Sequence, residues 1–169
     1  MLEDTKTVLE RWGGVHTLID RWLQQRYDML VTLMELREAC DAELESVSKA
    51  RIDAFSEALM DYISGGHFEV YPKLRDEAVA FDDRDALTLA DRLLERLEMS
   101  TQMVLEFDND YSTPTRCQHY VTRLPAWLER LSKALTERFA LEDQLIARLH
   151  AVHAPSSGVE DSSTPRALS

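Results

Sequence analysis

The stretch LMDYISGGHFEVYPKL, residues 59–74, decides the fold. Read as punctuation, Gly65 and Gly66 would end one element and start another, because glycine is about 1 kcal/mol poorer than alanine inside a helix. The apolar phase argues against a break. Ile52, Phe55, Leu59, Tyr62 and Ile63 recur at steps of three and four before the glycines, and Gly66, Val70, Leu74 and Phe81 carry the row on after them. One helix is therefore expected from about Ser48 to about Phe81. It should bend near Pro72, which lacks an amide hydrogen and crowds the preceding turn.

The same periodicity extends in both directions. Upstream, a long helix follows Trp12-Gly13-Gly14 and places Val15, Ile19, Trp22, Leu23, Leu30, Leu33 and Met34 on one face, with a short capping helix before it. Downstream, a third long helix starts after FDDRD, where Asp82, Asp83 or Asp85 can cap, and carries Leu87, Leu89, Leu93, Leu94, Leu97, Met103, Val104 and Phe107. The loop NDYSTPT ends it, RCQHYVTRLPAW forms a short extra helix, and a fourth long helix reads Leu124, Leu128, Leu131, Leu135, Phe139, Leu145, Ile146, Leu149. No alternating run suits a strand. The expected fold is all-α, an antiparallel four-helix bundle with short accessory helices. Residues 1–153 make one domain, and the tail APSSGVEDSSTPRALS, 154–169, has too little to bury and is expected to be disordered.

With 31 acidic and 19 basic residues the chain carries a net charge of -12, which repels a phosphate backbone and argues against direct nucleic-acid binding. Eleven of those acids and only three arginines fall between Asp76 and Asp110, as a solvated face or as a docking surface for something basic. No apolar run is long enough for a membrane span, and the first residues lack a signal-peptide layout, so a cytoplasmic location is expected. Cys40 and Cys117 lack metal-ligand spacing and are read as reduced thiols.

Charged residues intrude on the apolar rows. Stepping through the fourth helix puts Arg138 and Glu142, an i,i+4 pair, at the edge of the core stripe, and such residues are rarely buried unless paired. His67 falls on the inward side of the second helix, and His16 and Asp20 lie i,i+4 near the edge of the first. These five are expected to form a buried polar cluster. A structural hydrogen-bonded network accounts for it. So does a carboxylate and histidine metal site in the bundle core, although Glu-x-x-His spacing is absent and the third helix offers only Glu95 and Glu98. Catalysis has less behind it: no nucleophile elbow, phosphate loop or CxxC occurs, and Cys117 with His119 has no third group to orient it. The chain is expected to be no enzyme and to need no cofactor.

ERWGGVHTLIDRWLQQR, LMDYISGGHFEVYPKL and ERFALEDQLIARLH resemble the three signature blocks of the Rsd/AlgQ family, the regulators of sigma D. The likeness covers residues 1 to 153 in order and spacing, and the first block is most similar to the pseudomonad AlgQ branch. The resemblance implies a four-helix-bundle anti-sigma factor that binds the primary sigma factor of RNA polymerase through its regions 4 and 2, favouring alternative sigma factors. In that branch it further implies a link to alginate and virulence genes. The family's signature Asp, Ser, Gly, His and Phe fall on Asp61, Ser64, Gly66, His67 and Phe68. Asp61 points away from the apolar stripe and is the foremost expected sigma contact, with Ser64 and Phe68 beside it. Gly65 stands where the family commonly has alanine, and Pro72 is a further departure.

Overall fold

The computed structural model describes residues 2–153, with side chains from residue 13 to residue 150. The expected tail, 154–169, lies outside the described residues. Among these every regular element is helical: α1 Leu2–Glu43, α2 Lys49–Gly65, α3 Tyr71–Ala80, α4 Arg84–Asp110, α5 Pro114–Tyr120 and α6 Leu124–His153. None of them is long and apolar enough to cross a membrane.

The helix expected across the glycine motif is present from Lys49 to Ala80, with one irregularity. Gly66–Val70 is a π turn, so α2 passes into α3 without a loop. Proline chemistry accounts for its position. Pro72 sits in the first turn of α3, offers no N–H and would push its ring against the carbonyl four residues back. A wider turn just upstream relieves that crowding, and the Tyr71 N–H bonds to the Gly66 carbonyl, five residues away.

At the N-terminus the separate capping helix is not observed. α1 runs unbroken through Gly13 and Gly14, where the Thr17 hydroxyl donates to the Gly13 carbonyl at 3.0 Å. Two glycines weaken a helix without ending it when the hydrogen-bond ladder continues on both sides. The inward row of α1 also differs: Met29 and Leu36 are buried, whereas Leu30 and Met34 are exposed. Helix starts follow ordinary capping. Ser48 caps α2, Asp83 caps α4 and Thr113 caps α5, each side chain accepting a backbone N–H three residues on.

α1 packs on α2 and α6, and α4 packs on α3 and α6. The inward rows step alternately by four and three: Val15, Ile19, Trp22, Arg26, Met29, Leu33, Leu36 on α1; Ala90, Leu93, Leu97, Ser100, Val104, Phe107 on α4; Leu128, Leu131, Leu135, Arg138, Glu142, Leu145, Leu149 on α6. Each row is apolar except at one level, where Arg26, Ser100, Arg138 and Glu142 sit. That polar layer lies beside the glycine motif.

Candidate functional site

The motif has an outer and an inner side. Outside, Asp61 is exposed, Ser64 is half-buried, and Phe68 is 73% exposed on the π turn, with the His67 ring edge-on to it at 4.7 Å. The neighbouring Glu69 accepts from Arg21 of α1 at 3.3 Å. Apart from the His67 ring, no contact holds the Phe68 ring to the rest of the described fold.

Inside, Trp22 of α1 lies against the glycines. Its ring stacks on Tyr62 at 4.9 Å, meets Tyr71 edge-on at 5.7 Å, and its Nε1 donates to the Tyr62 carbonyl at 3.0 Å. That carbonyl also accepts from the Gly66 N–H, which is shared with the Ile63 carbonyl. A Cβ on Gly66 would stand 3.0 Å from Trp22 Cζ2 and 3.2 Å from the Tyr71 ring. A side chain at Gly66 would press Trp22 and Tyr71 back by a few tenths of an ångström, and the outer surface rests on this contact.

Beneath Trp22 is the polar layer. Glu142 is buried with both carboxylate oxygens engaged: Oε2 accepts from the Tyr62 hydroxyl at 2.6 Å and Oε1 from Arg138 Nε at 3.0 Å. Arg138, 2% exposed, further donates to the Ser100 and Thr101 hydroxyls at 3.0 and 3.1 Å and to the Tyr71 hydroxyl at 3.2 Å. Arg26 donates to the Tyr62 hydroxyl at 3.0 Å and to Asp143 at 2.7 Å, with its guanidinium 4.5 Å from the Phe139 ring centroid. The second oxygen of Glu142 lies 3.7 Å from Arg26 Nη2. Two arginines, one buried and one at the rim carboxylate, therefore bracket one buried glutamate.

The structure brings Arg138 and Glu142 together and leaves the other three expected members outside. His16 and Asp20 pair with each other at 3.5 Å on the surface, more than half exposed. His67 is exposed. Across the mixed α and π turns residues four apart stay in line, so Tyr62, Gly66, Val70 and Leu74 make the inward row and His67 falls beside it. The partners missed by sequence reading are Tyr62, Tyr71, Arg26, Ser100 and Thr101. Among the described residues no group of three or more His, Cys, Asp or Glu could hold a metal ion, so the metal-site alternative has no site here. Cys40 and Cys117 form no disulfide.

Burial pushes the Glu142 carboxyl above the usual carboxylate range, against the opposing pull of Arg138, Tyr62 and Arg26. Burial likewise holds the Tyr62, Tyr71 and Tyr111 phenols above their ordinary value of 10.0, reinforced at the first two by Glu142 and at Tyr111 by Asp110. Since these phenols release their protons less readily folded than unfolded, the stability they contribute is fully present below pH 10 and is lost as pH rises toward the folded-state values. Denaturant unfolding followed at about pH 9 and about pH 11 should show the loss. Equal stability at both would mean that the tyrosines ionise freely in the folded protein.

Residues 1–150 match the family described as "Regulator of RNA polymerase sigma(70) subunit, Rsd/AlgQ". Among curated relatives, the regulator of sigma D of Pectobacterium atrosepticum is 31% identical over 153 residues, covering 89% of this chain and 99% of the relative. That of Enterobacter sp. (strain 638) is 32% identical over 151 residues, 87% of this chain and 88% of the relative. The Salmonella typhi protein of the same name is 31% identical over 150 residues, 86% and 90% of the two chains. No solved structure matches the chain.

Proposed function

We propose, because the chain belongs to the Rsd/AlgQ family of regulators of the RNA polymerase sigma(70) subunit, that it binds the primary sigma factor through Asp61, Ser64 and Phe68, on the outer side of the glycine motif. The observation that carries the reading is the exposed Phe68, seven residues on from the exposed Asp61 and held on a π turn that Trp22 and Gly66 fix from below. The bound sigma elements are regions 4 and 2. Region 4 is a basic helix-turn-helix module that an acidic protein attracts. Occupying these regions limits use of the primary sigma factor and favours alternative ones. The protein acts by binding, without a catalytic step, in the cytoplasm where polymerase works. Its scaffold is one domain over residues 1–153, an antiparallel four-helix bundle whose four members are α1, the α2 and α3 rod, α4 and α6. The buried cluster supports the surface from within.

Asp61→Ala should leave the melting temperature nearly unchanged, since surface substitutions stay within about 0.5 kcal/mol. Its effect should appear in association, as a slower on-rate and a weaker salt dependence, or as a loss of about 2 kcal/mol or more if it meets a buried arginine of the partner. The measurement is a titration of sigma region 4 and region 2 fragments against wild type and Asp61→Ala at two salt concentrations. Unchanged affinity for both fragments would remove Asp61 from the interface. No binding by wild type would sink the anti-sigma reading.

A further inference from the structure

A groove between α4 and α6 shares no residue with the Asp61 surface. It encloses about 540 Å³ along Met99, Met103 and Leu141, with Ser100 and Arg138 of the polar layer reaching its floor. Past Met99 and Met103 it runs into a second hollow of about 430 Å³. Met99 is 80% exposed, and a flexible thioether left in water above an apolar trough can mould itself to an incoming side chain. The rim is acidic. Glu95, Glu98 and Glu106 of α4 and Glu137 of α6 stand against two surface cations, Arg96 and Arg130, and Arg130 is laid over the Trp127 ring at 4.7 Å. Arg138 adds no free charge to the trough, being committed to Glu142 at 3.0 Å.

These features select an occupant. A second copy of this chain would bring like charge to the groove, at a net of -12 per molecule, and nucleic acids and anionic membranes are repelled for the same reason. From Glu95 to Glu106 the α4 face spans about 17 Å, the length of three helical turns. An amphipathic helix of that reach can seat apolar residues at i, i+3 or i+4 and i+7 on the methionines while its flanks meet the glutamates. We propose that the α4–α6 groove is a docking site for a basic amphipathic helix of a second protein, separate from the sigma-binding surface.

The full chain, labelled at its methionine methyl carbons, supplies the test, because Met99 and Met103 line the groove while Met34 and Met60 lie on other helices. The probe is a synthetic leucine and lysine helical peptide of roughly 18 residues, five turns, with a leucine and glutamate peptide of the same pattern as its control. The lysine peptide should move the Met99 and Met103 resonances saturably and leave Met34 and Met60 in place, and the glutamate peptide should move none. Met99→Ser, which removes the apolar contact without changing charge, and Glu98→Lys should each weaken peptide binding by about ten-fold or more, while sigma fragments bind Met99→Ser as they bind wild type. The proposal is overturned by shifts at Met34 or Met60 instead, by an equal response to the acidic peptide, or by no saturation below about 1 mM. Concentration-dependent Met99 shifts without peptide would assign the groove to self-association and overturn it too. So would loss of sigma binding in Met99→Ser, which would make the groove part of the sigma interface.

Discussion

Glu142→Ala is expected to destabilise the protein by about 3–5 kcal/mol, the cost of breaking a buried ion pair from one side. The deletion strands the Arg138 guanidinium, 2% exposed and bonded to Glu142 through Nε at 3.0 Å, and removes the acceptor of the Tyr62 hydroxyl. Arg26 keeps Asp143 at the rim, so only one of the two cations finds a substitute partner. Burial alone makes Glu142 a reluctant carboxylate, and the loss therefore comes from what the side chain satisfies and not from its own charge being comfortable. Equilibrium urea unfolding of the variant measures it. A second variant separates the two terms: Glu142→Leu combined with Arg138→Met should recover most of the loss, because apolar groups of similar volume remove the charges together. A loss below about 1 kcal/mol in Glu142→Ala would put the pair among solvent-screened surface pairs and refute its burial.

Trp22→Ala should cost about 3–5 kcal/mol, the range for emptying a large aromatic position in a core. The indole fills the space that Gly66 leaves, stacks on Tyr62 and closes the Tyr62 carbonyl with its Nε1. Trp22→Phe keeps much of the packing and loses the hydrogen bond, which should cost about 1 kcal/mol plus the partial cavity. Whereas Asp61→Ala should affect binding alone, either change here should lower stability and weaken sigma binding together, because Phe68 projects from the turn that Trp22 supports. Urea unfolding together with the same sigma titration reads both effects. Trp22→Ala with wild-type stability would show that the aromatic stack is not what holds the glycine motif.

The helical reading of LMDYISGGHFEVYPKL was legible because apolar residues kept their step through the glycines, and periodicity outweighs the propensity of two residues. The π turn was not, since its hydrogen-bond shift leaves the inward row of Tyr62, Gly66, Val70 and Leu74 spaced as a plain helix allows. His67, one position on from Gly66, falls beside that row and is exposed. Arg138 and Glu142 were legible as charged residues in a leucine row. Their partners were not, because a buried tyrosine, serine or threonine at an inward position looks like ordinary core. Arg26 carried a usable signal: it lies between Trp22 and Met29 at steps of four and three, in the same row as both. His16 and Asp20 had the right types and spacing but stand on the solvent side of α1, where an i,i+4 pair forms without burial.

A row of leucines stepping by four and three looks nearly the same after a slide of one repeat, about 10 Å along the axis. The single polar level removes that freedom. With α6 shifted by one repeat, Arg138 and Glu142 would face apolar residues of α1 and α4, the Tyr62 hydroxyl would lose its acceptor and the Tyr71 hydroxyl its arginine. The layer therefore acts as a register pin: it contributes little to the total stability that apolar replacements could not match, yet it penalises every misaligned assembly. Stability and uniqueness come apart at this level of the helical core. The apolar double variant should unfold at a similar denaturant concentration while its amide spectrum shows more than one set of resonances.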